Sequence, residues 1–196
     1  MRRDLITAAL ALVFFTVLLG IAYPLVMTGV SQVVFPGRAD GSLIERGGKV
    51  VGSKLLAQPA MMPGGRRDPR YFQPRPSQTG YNAGGTFFSN RGPNQASARY
   101  FYRDQLAAYL KLNGPYNPGL SIAKVPGDAV TTSASGVDPH ISPANARIQA
   151  RRVAQVRGIP LARVNQLVDA STDGRFLGLL GEPGVNTTKL NEALGR

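Results

Sequence analysis

The chain has no cysteine and a single histidine among 196 residues. Without cysteine there is no disulfide framework and no thiolate nucleophile. One histidine and scattered carboxylates make a poor zinc set, so no metal site is expected. There is no Gly-x-x-x-x-Gly-Lys-Ser/Thr loop to cradle a triphosphate, and no Gly-x-Ser-x-Gly elbow to present a nucleophilic serine. Acidic residues are few, 11 against 23 lysines and arginines, for a formal net charge of +12. Such a surface suits anionic headgroups, an acidic protein or nucleic acid. It is poorly suited to collecting cations.

Charge is missing altogether between Asp4 and Arg38. About 20 apolar residues cross a bilayer as a helix, and this run is longer. A cleavable signal peptide has an apolar region of roughly 7–15 residues, about half of what is present here. The best small-x-small match, Ala9-Leu10-Ala11, lies inside the run. The segment therefore reads as an uncleaved signal anchor over 1–36. Arg2 and Arg3 should keep the N-terminus cytoplasmic and place 37–196 outside, although Arg38 also puts positive charge on the far flank. That topology removes the domain from nucleic acid. Pro24 takes a donor from the helix and crowds the turn containing Gly20, so a modest kink is expected there. Ala8, Ala11, Gly20 and Gly29 are small enough to admit a partner helix.

The remaining residues suffice for one domain with its own core. Residues 42–56 read as a hairpin turning at Gly47-Gly48. Residues 57–93 are rich in proline and glycine yet hold Tyr71, Phe72, Tyr81, Phe87 and Phe88, the mark of an irregular segment wrapped on a core. A helix is predicted over 94–112, capped by Asn94, with Ala98, Phe101, Tyr102, Leu106, Tyr109 and Leu110 toward one side. After a second loop-rich stretch, Ser142-Pro143 starts a helix that ends at Gly158. Further helices are predicted over 161–170 and 187–195. The fold class is α+β, one mixed, loop-rich domain behind one transmembrane helix.

Ser133, Ser135, Asp138 and His140 are all residue types found in hydrolytic triads, and they crowd into one loop. Proximity in sequence is no argument for a triad, whose members must converge from geometry. The alternative is structural. Small hydroxyls satisfy the loop backbone, Asp138-Pro139 turns the chain, Ser142 caps a helix, and His140 bonds within the loop.

Residues 125–143, Val-Pro-Gly-Asp-Ala-Val-Thr-Thr-Ser-Ala-Ser-Gly-Val-Asp-Pro-His-Ile-Ser-Pro, resemble the hallmark of the C subunit of the bacterial Kdp potassium-transporting ATPase. Further matches are Gly52–Gln58, Tyr71-Phe-Gln-Pro-Arg-Pro-Ser77, Gln149-Ala-Arg-Arg-Val-Ala154, Leu177–Asn186 and a final Leu-Asn. One region departs: Ala83-Gly-Gly85 is separated from Ser89-Asn-Arg-Gly-Pro93 by Thr86-Phe87-Phe88, with arginine where the family shows leucine. The resemblance implies a non-catalytic accessory subunit of an ATP-driven potassium uptake pump in the bacterial inner membrane. Its implied partners are a channel-like potassium-translocating subunit and a P-type ATPase subunit, which hydrolyses ATP. The family is described as a catalytic chaperone for nucleotide binding, which would make Ser133, Ser135 and Gly136 candidates for ATP contact. An extracytoplasmic domain is out of reach of cytoplasmic ATP, so a scaffold or cap on the channel-like subunit is favoured. Asp138, His140, Ser142, Gly20 and Pro24 are the candidates for partner contact or structural duty. A membrane-anchored envelope hydrolase and a free-standing binding module are the rival classes.

Overall fold

A computed structural model describes residues 1–85 and 90–195. Thr86, Phe87, Phe88 and Ser89, in the altered loop, lie outside the described residues. The chain divides into two compact units, Met1–Val51 and Gly52–Arg196.

The first unit is dominated by an apolar helix. Helix α1 (Arg2–Val17) passes through a π-helical turn (Leu18–Ala22) into α2 (Tyr23–Val34). Together they make 33 residues, long and apolar enough to cross a membrane. At 1.5 Å per residue they span about 50 Å. Before Pro24, where a modest kink is expected, the helix has a π turn. A proline in an α-helix leaves the carbonyl four residues back without its donor. Here the helix widens, and the Tyr23 N–H donates five residues back to Leu18 O. Gly20 sits within this wide turn, where an added Cβ would meet only Thr16 Cγ2 at 3.9 Å. A short helix, α3 (Pro36–Ala39), follows. Strands β1 (Leu43–Arg46) and β2 (Lys49–Ser53) then form the predicted hairpin. Gly47 and Gly48 both have positive φ, +57° and +74°, as a tight two-residue turn demands.

The second unit packs four helices and a small sheet with the irregular 57–85 segment. Helix α4 (Ala96–Asn113) starts one residue after Gln95, and its cap residue makes no side-chain bond. The expected Asn94 cap is thus corrected. The Gln95 N–H donates to Gly92 O at 3.1 Å, which puts Pro93 and Asn94 in the middle of a turn. Those are positions that suit proline and asparagine. Of the predicted apolar face, Ala98 and Tyr109 are buried, Tyr102 is exposed, and Phe101 lies under the Arg91 guanidinium at 4.3 Å.

Helix α5 (Pro143–Arg157) carries the core. Ser142 caps it, its Oγ accepting from the Asn145 N–H at 3.1 Å, and Gly158 ends it in the left-handed region. Ala146, Ala150 and Val153 recur at helical spacing and meet Val164 and Val168 of α6 (Leu161–Ala170). Phe72, Ile141, Val185 and Leu190 complete the cluster. The sheet has the order β3–β5–β4, all antiparallel: β3 (His140–Ile141), β4 (Thr172–Asp173) and β5 (Gly184–Asn186). Helix α7 (Thr187–Ala193) leaves β5 directly, capped by the Asn186 side chain, which accepts from Thr188 N and Lys189 N.

A second face of α5 is polar and just as buried. Asn145, Gln149 and Arg152 are at most 2 % exposed. They hold the irregular segment, which has no strand partner of its own at Phe72 and Gln73. The Gln149 amide accepts from Gln73 N at 2.8 Å and donates to Gln73 O at 3.0 Å. Asn191 on α7 does the same for Phe72, at 2.8 Å in each direction. Two side-chain amides thus replace a β-ladder. Leaving a buried backbone donor or acceptor unpaired costs about 1–3 kcal/mol. Asn191→Leu should therefore lower unfolding stability by about 2–4 kcal/mol, because it strands both groups of Phe72. Denaturant unfolding of the full chain in detergent measures this, and a change within about 0.5 kcal/mol would remove the clamp from the account.

Candidate functional site

The hallmark loop sits between α4 and α5 in sequence, and one carboxylate ties its two ends together. Asp128 stands in a single 3₁₀ turn, Gly127–Ala129. It accepts from Ser142 N and Ser142 Oγ, both at 2.8 Å, and from Asn145 Nδ2 at 2.9 Å. Ser142 is therefore a cap that is itself held. From Asn145 the polar chain continues inward. Its Oδ1 accepts from Tyr109 Oη at 2.9 Å and from Gln149 Nε2 at 3.0 Å. Burial pushes the Tyr109 phenol well above its ordinary range, so it acts as a fixed donor.

Ser133, Ser135 and Gly136 form the bend of the loop. The Ser133 side is buried, and its carbonyl accepts from Gly136 N at 3.3 Å. Ser135 Oγ accepts from Val137 N at 3.2 Å. Gly136 has φ +74°, and an added Cβ would lie 2.7 Å from Thr79 Oγ1. Ser77 Oγ donates to Gly136 O at 2.6 Å and accepts from Thr79 N and Tyr81 N. The glycine is needed because the 77–81 turn packs directly on it. On that face the backbone of Gly136 is covered by Ser77 and Thr79. A narrow cleft beside Gln73, Tyr109, Asn145 and Gln149 measures about 20 Å³, the room of one water molecule.

Asp138 and His140 belong to a surface network. The His140 ring crosses the central strand. Nδ1 faces Asp138 Oδ1 at 3.2 Å, and Nε2 faces Asp173 Oδ2 on the far strand at 2.9 Å. Gly184 lies between, where a Cβ would come within 3.2 Å of the ring. Asp138 Oδ1 also accepts from His140 N at 2.9 Å, and Arg75 stands 3.9 Å from its other oxygen. Lys189 Nζ donates to Asp173 Oδ1 at 2.9 Å. With a carboxylate on each nitrogen, the ring satisfies both only as imidazolium. The Asp138 hydrogen bond raises the His140 pKa, partial burial opposes it, and Asp173 adds to the rise. Burial pulls the Asp138 and Asp173 carboxyls upward. Bonds from His140, with Arg75 and Lys189, outweigh it and hold both below the ordinary value. Both ring nitrogens of His140 are thus engaged by carboxylates.

Gly20 and Pro24 stand in the first unit, in and beside the π turn. The loop residues all stand in the second. Sequence reading gave no individual role to Asp128, Asp173, Lys189, Gly184 or the buried Asn145–Gln149–Arg152 stripe, although Asp128, Gly184, Gln149 and Arg152 fall in segments that match the family. The spacing of Asn145, Gln149 and Arg152 at three and four residues was the available signal. Among the described residues there is no group of three or more His, Asp or Glu placed to hold a metal.

Raised on folding, the His140 pKa contributes stability that is full below the ordinary value of 6.5 and is lost as pH rises through the folded value. Asp138 and Asp173, lowered on folding, lose their contribution only as pH falls through their folded values. The melting temperature of the full chain should therefore fall between mildly acidic and alkaline pH, and His140→Gln should flatten that slope. Equal slopes for the two proteins would mean that the ring carries no such charge.

Residues 5–196 match the family model described as KdpC, the K+-transporting ATPase c chain. The chain is 45% identical over 180 residues to a potassium-transporting ATPase KdpC subunit of Caldanaerobacter subterraneus subsp. tengcongensis, covering 92% of this chain and 88% of that one. It is 48% identical over 197 residues to the protein of that name from Rhodospirillum rubrum, covering 99% and 96%. With the Mycobacterium bovis protein it shares 44% over 198 residues and the full length of both.

Proposed function

This chain belongs to the KdpC family, the c chain of K+-transporting ATPases, and we propose that within such a complex it is a non-catalytic accessory subunit of potassium uptake. It anchors by its 33-residue apolar helix, with the N-terminus cytoplasmic on the strength of Arg2 and Arg3. The second unit then lies outside the membrane and acts as a scaffold or cap on the channel-like subunit. ATP is bound and hydrolysed by the separate ATPase subunit.

The observation that carries this is where the hallmark residues point. Ser142, Asp128 and Asn145 lock the start of α5. Gln149 grips the backbone of the irregular segment, and Gly136 is packed under Ser77 and Thr79. His140 is tied between two carboxylates. The segment spends its polar groups on holding one shape. Rigid support of a neighbour needs a fixed shape, whereas turnover needs a reacting group left free.

The test is to express the tagged full chain with the other subunits, extract it in mild detergent and identify what is retained. A channel-like subunit and an ATPase subunit are expected in fixed ratio, with potassium-stimulated ATP hydrolysis by the complex. The chain purified alone should hydrolyse neither ATP nor simple esters. Turnover by the chain alone that is abolished by His140→Ala would overturn the accessory role. Protease added from the outer face should reach the second unit, and cleavage only from the cytoplasmic face would reverse the orientation.

A further inference from the structure

Between β4 and β5 the chain leaves the core and makes a small knob. Phe176 and Leu180 pair as an isolated antiparallel bridge, with Phe176 N to Leu180 O at 2.8 Å and Leu180 N to Phe176 O at 3.0 Å. Gly178 N donates to Arg175 O and Leu179 N to Phe176 O, both at 3.1 Å, and close the turn. Leu177 and Gly178 occupy its centre with φ +52° and +75°. Glycine takes that conformation freely, whereas leucine there is uncommon and strained. The strain is maintained by the four backbone bonds, and it aims the side chains outward. Phe176 is 69% exposed, Leu177 78%, Leu179 81% and Leu180 64%. Outside the first unit, no other stretch of the described residues exposes four large apolar side chains so close together.

The rim of the knob is polar and electrically balanced. Arg175 donates to both oxygens of Glu182 at 3.0 Å. Behind them Lys189 pairs with Asp173. A tip that enters an anionic lipid surface carries uncompensated lysine or arginine beside its apolar residues. Here the arginine beside the knob, Arg175, is paired with Glu182. The knob also fixes its shape at the expense of backbone strain, which a fluid lipid phase does not require. An apolar centre within a neutral polar rim is the pattern of a protein–protein anchor.

We propose that the Phe176–Leu180 knob docks into an apolar socket on another polypeptide subunit of the transport complex. The proposal rests on the accessory-subunit reading above. Arg175 and Glu182 close the rim around the socket, and Leu177 and Leu179 enter deepest. Removal of the knob's apolar side chains then weakens assembly while leaving the second unit folded, because none of the four is buried within the chain.

Two measurements on the full chain test it. In the first, wild type and the double variant Leu177→Asp, Leu179→Asp are co-expressed with the other subunits, and retained partner is quantified. The variant should melt like wild type and retain about tenfold less partner or lower still, as loss of two central anchors does. Full retention by the folded variant overturns the knob while leaving the accessory role intact. No retention by wild type overturns the accessory role itself, and the proposal with it. The second uses the absence of cysteine. Leu179→Cys accepts one environment-sensitive fluorophore, and the labelled chain is reconstituted alone in anionic vesicles. Water-like emission that shifts to the blue only when the other subunits are added supports the socket. A blue shift in vesicles alone assigns the knob to lipid and overturns the proposal.

Discussion

The fold of the second unit turns on one buried charge. The Arg152 side chain is fully enclosed, and Asp68 acts on it only through space, without a hydrogen bond between them. Among the described residues its hydrogen bonds go to neutral oxygens. Nε donates to Pro69 O at 3.0 Å, Nη2 to Tyr71 O at 2.7 Å and to Gln149 Oε1 at 3.2 Å, and Nη1 to Asn113 Oδ1. Burial pulls its pKa down to about 10, which still leaves a cation at neutral pH. An isolated buried charge is tolerated only when its donors are met. The proline-rich segment cannot leave Arg152 without stranding that charge. Its irregular path is therefore determined by α4 and α5 as firmly as a strand is by its ladder.

Much of this was legible in the sequence, for reasons that can be named. Local chemistry was decisive at Gly47-Gly48, where only a tight turn fits, and at Ser142-Pro143 and Gly158, which bracket α5. The 5–37 run announced a long apolar helix, and Pro24 announced a fault in it. How the fault is absorbed, by a π turn that recruits Leu18 O, depends on backbone geometry that no residue pattern encodes. The three-stranded sheet went unseen because two- and three-residue strands are too short to show alternation. Asn94 was misread because a turn and a cap favour the same residue.

The polar face of α5 was illegible for a deeper reason. Asparagine, glutamine and arginine at helical spacing look like a solvated surface. Here that stripe faces inward, because the segment opposite offers bare backbone instead of side chains. Whether such a stripe is buried depends on residues some 80 positions away. The same holds for His140. Its neighbour Asp138 was visible in sequence, but the second carboxylate comes from Asp173, brought alongside by a sheet with Gly184 between them.

The chain thus treats its polar and apolar groups differently. Buried polar groups are matched almost completely within the second unit; the side-chain exceptions among the described residues are Gln73 Oε1, Arg75 Nε and Arg157 Nη1. Among the described residues, exposed apolar side chains run longest in Arg2–Val34 and, in the second unit, cluster at Phe176–Leu180. A globular protein scatters exposed apolar residues singly at little cost, but concentrated stretches are kept for contact. The first stretch has the length that hydrocarbon demands. The second is far too short for that, and its rigid backbone and neutral rim suit a surface of fixed shape. Internal polar bonds give the domain a single form, and external apolar groups give that form something to hold. Both stretches are surfaces through which a c chain of a K+-transporting ATPase can join its complex.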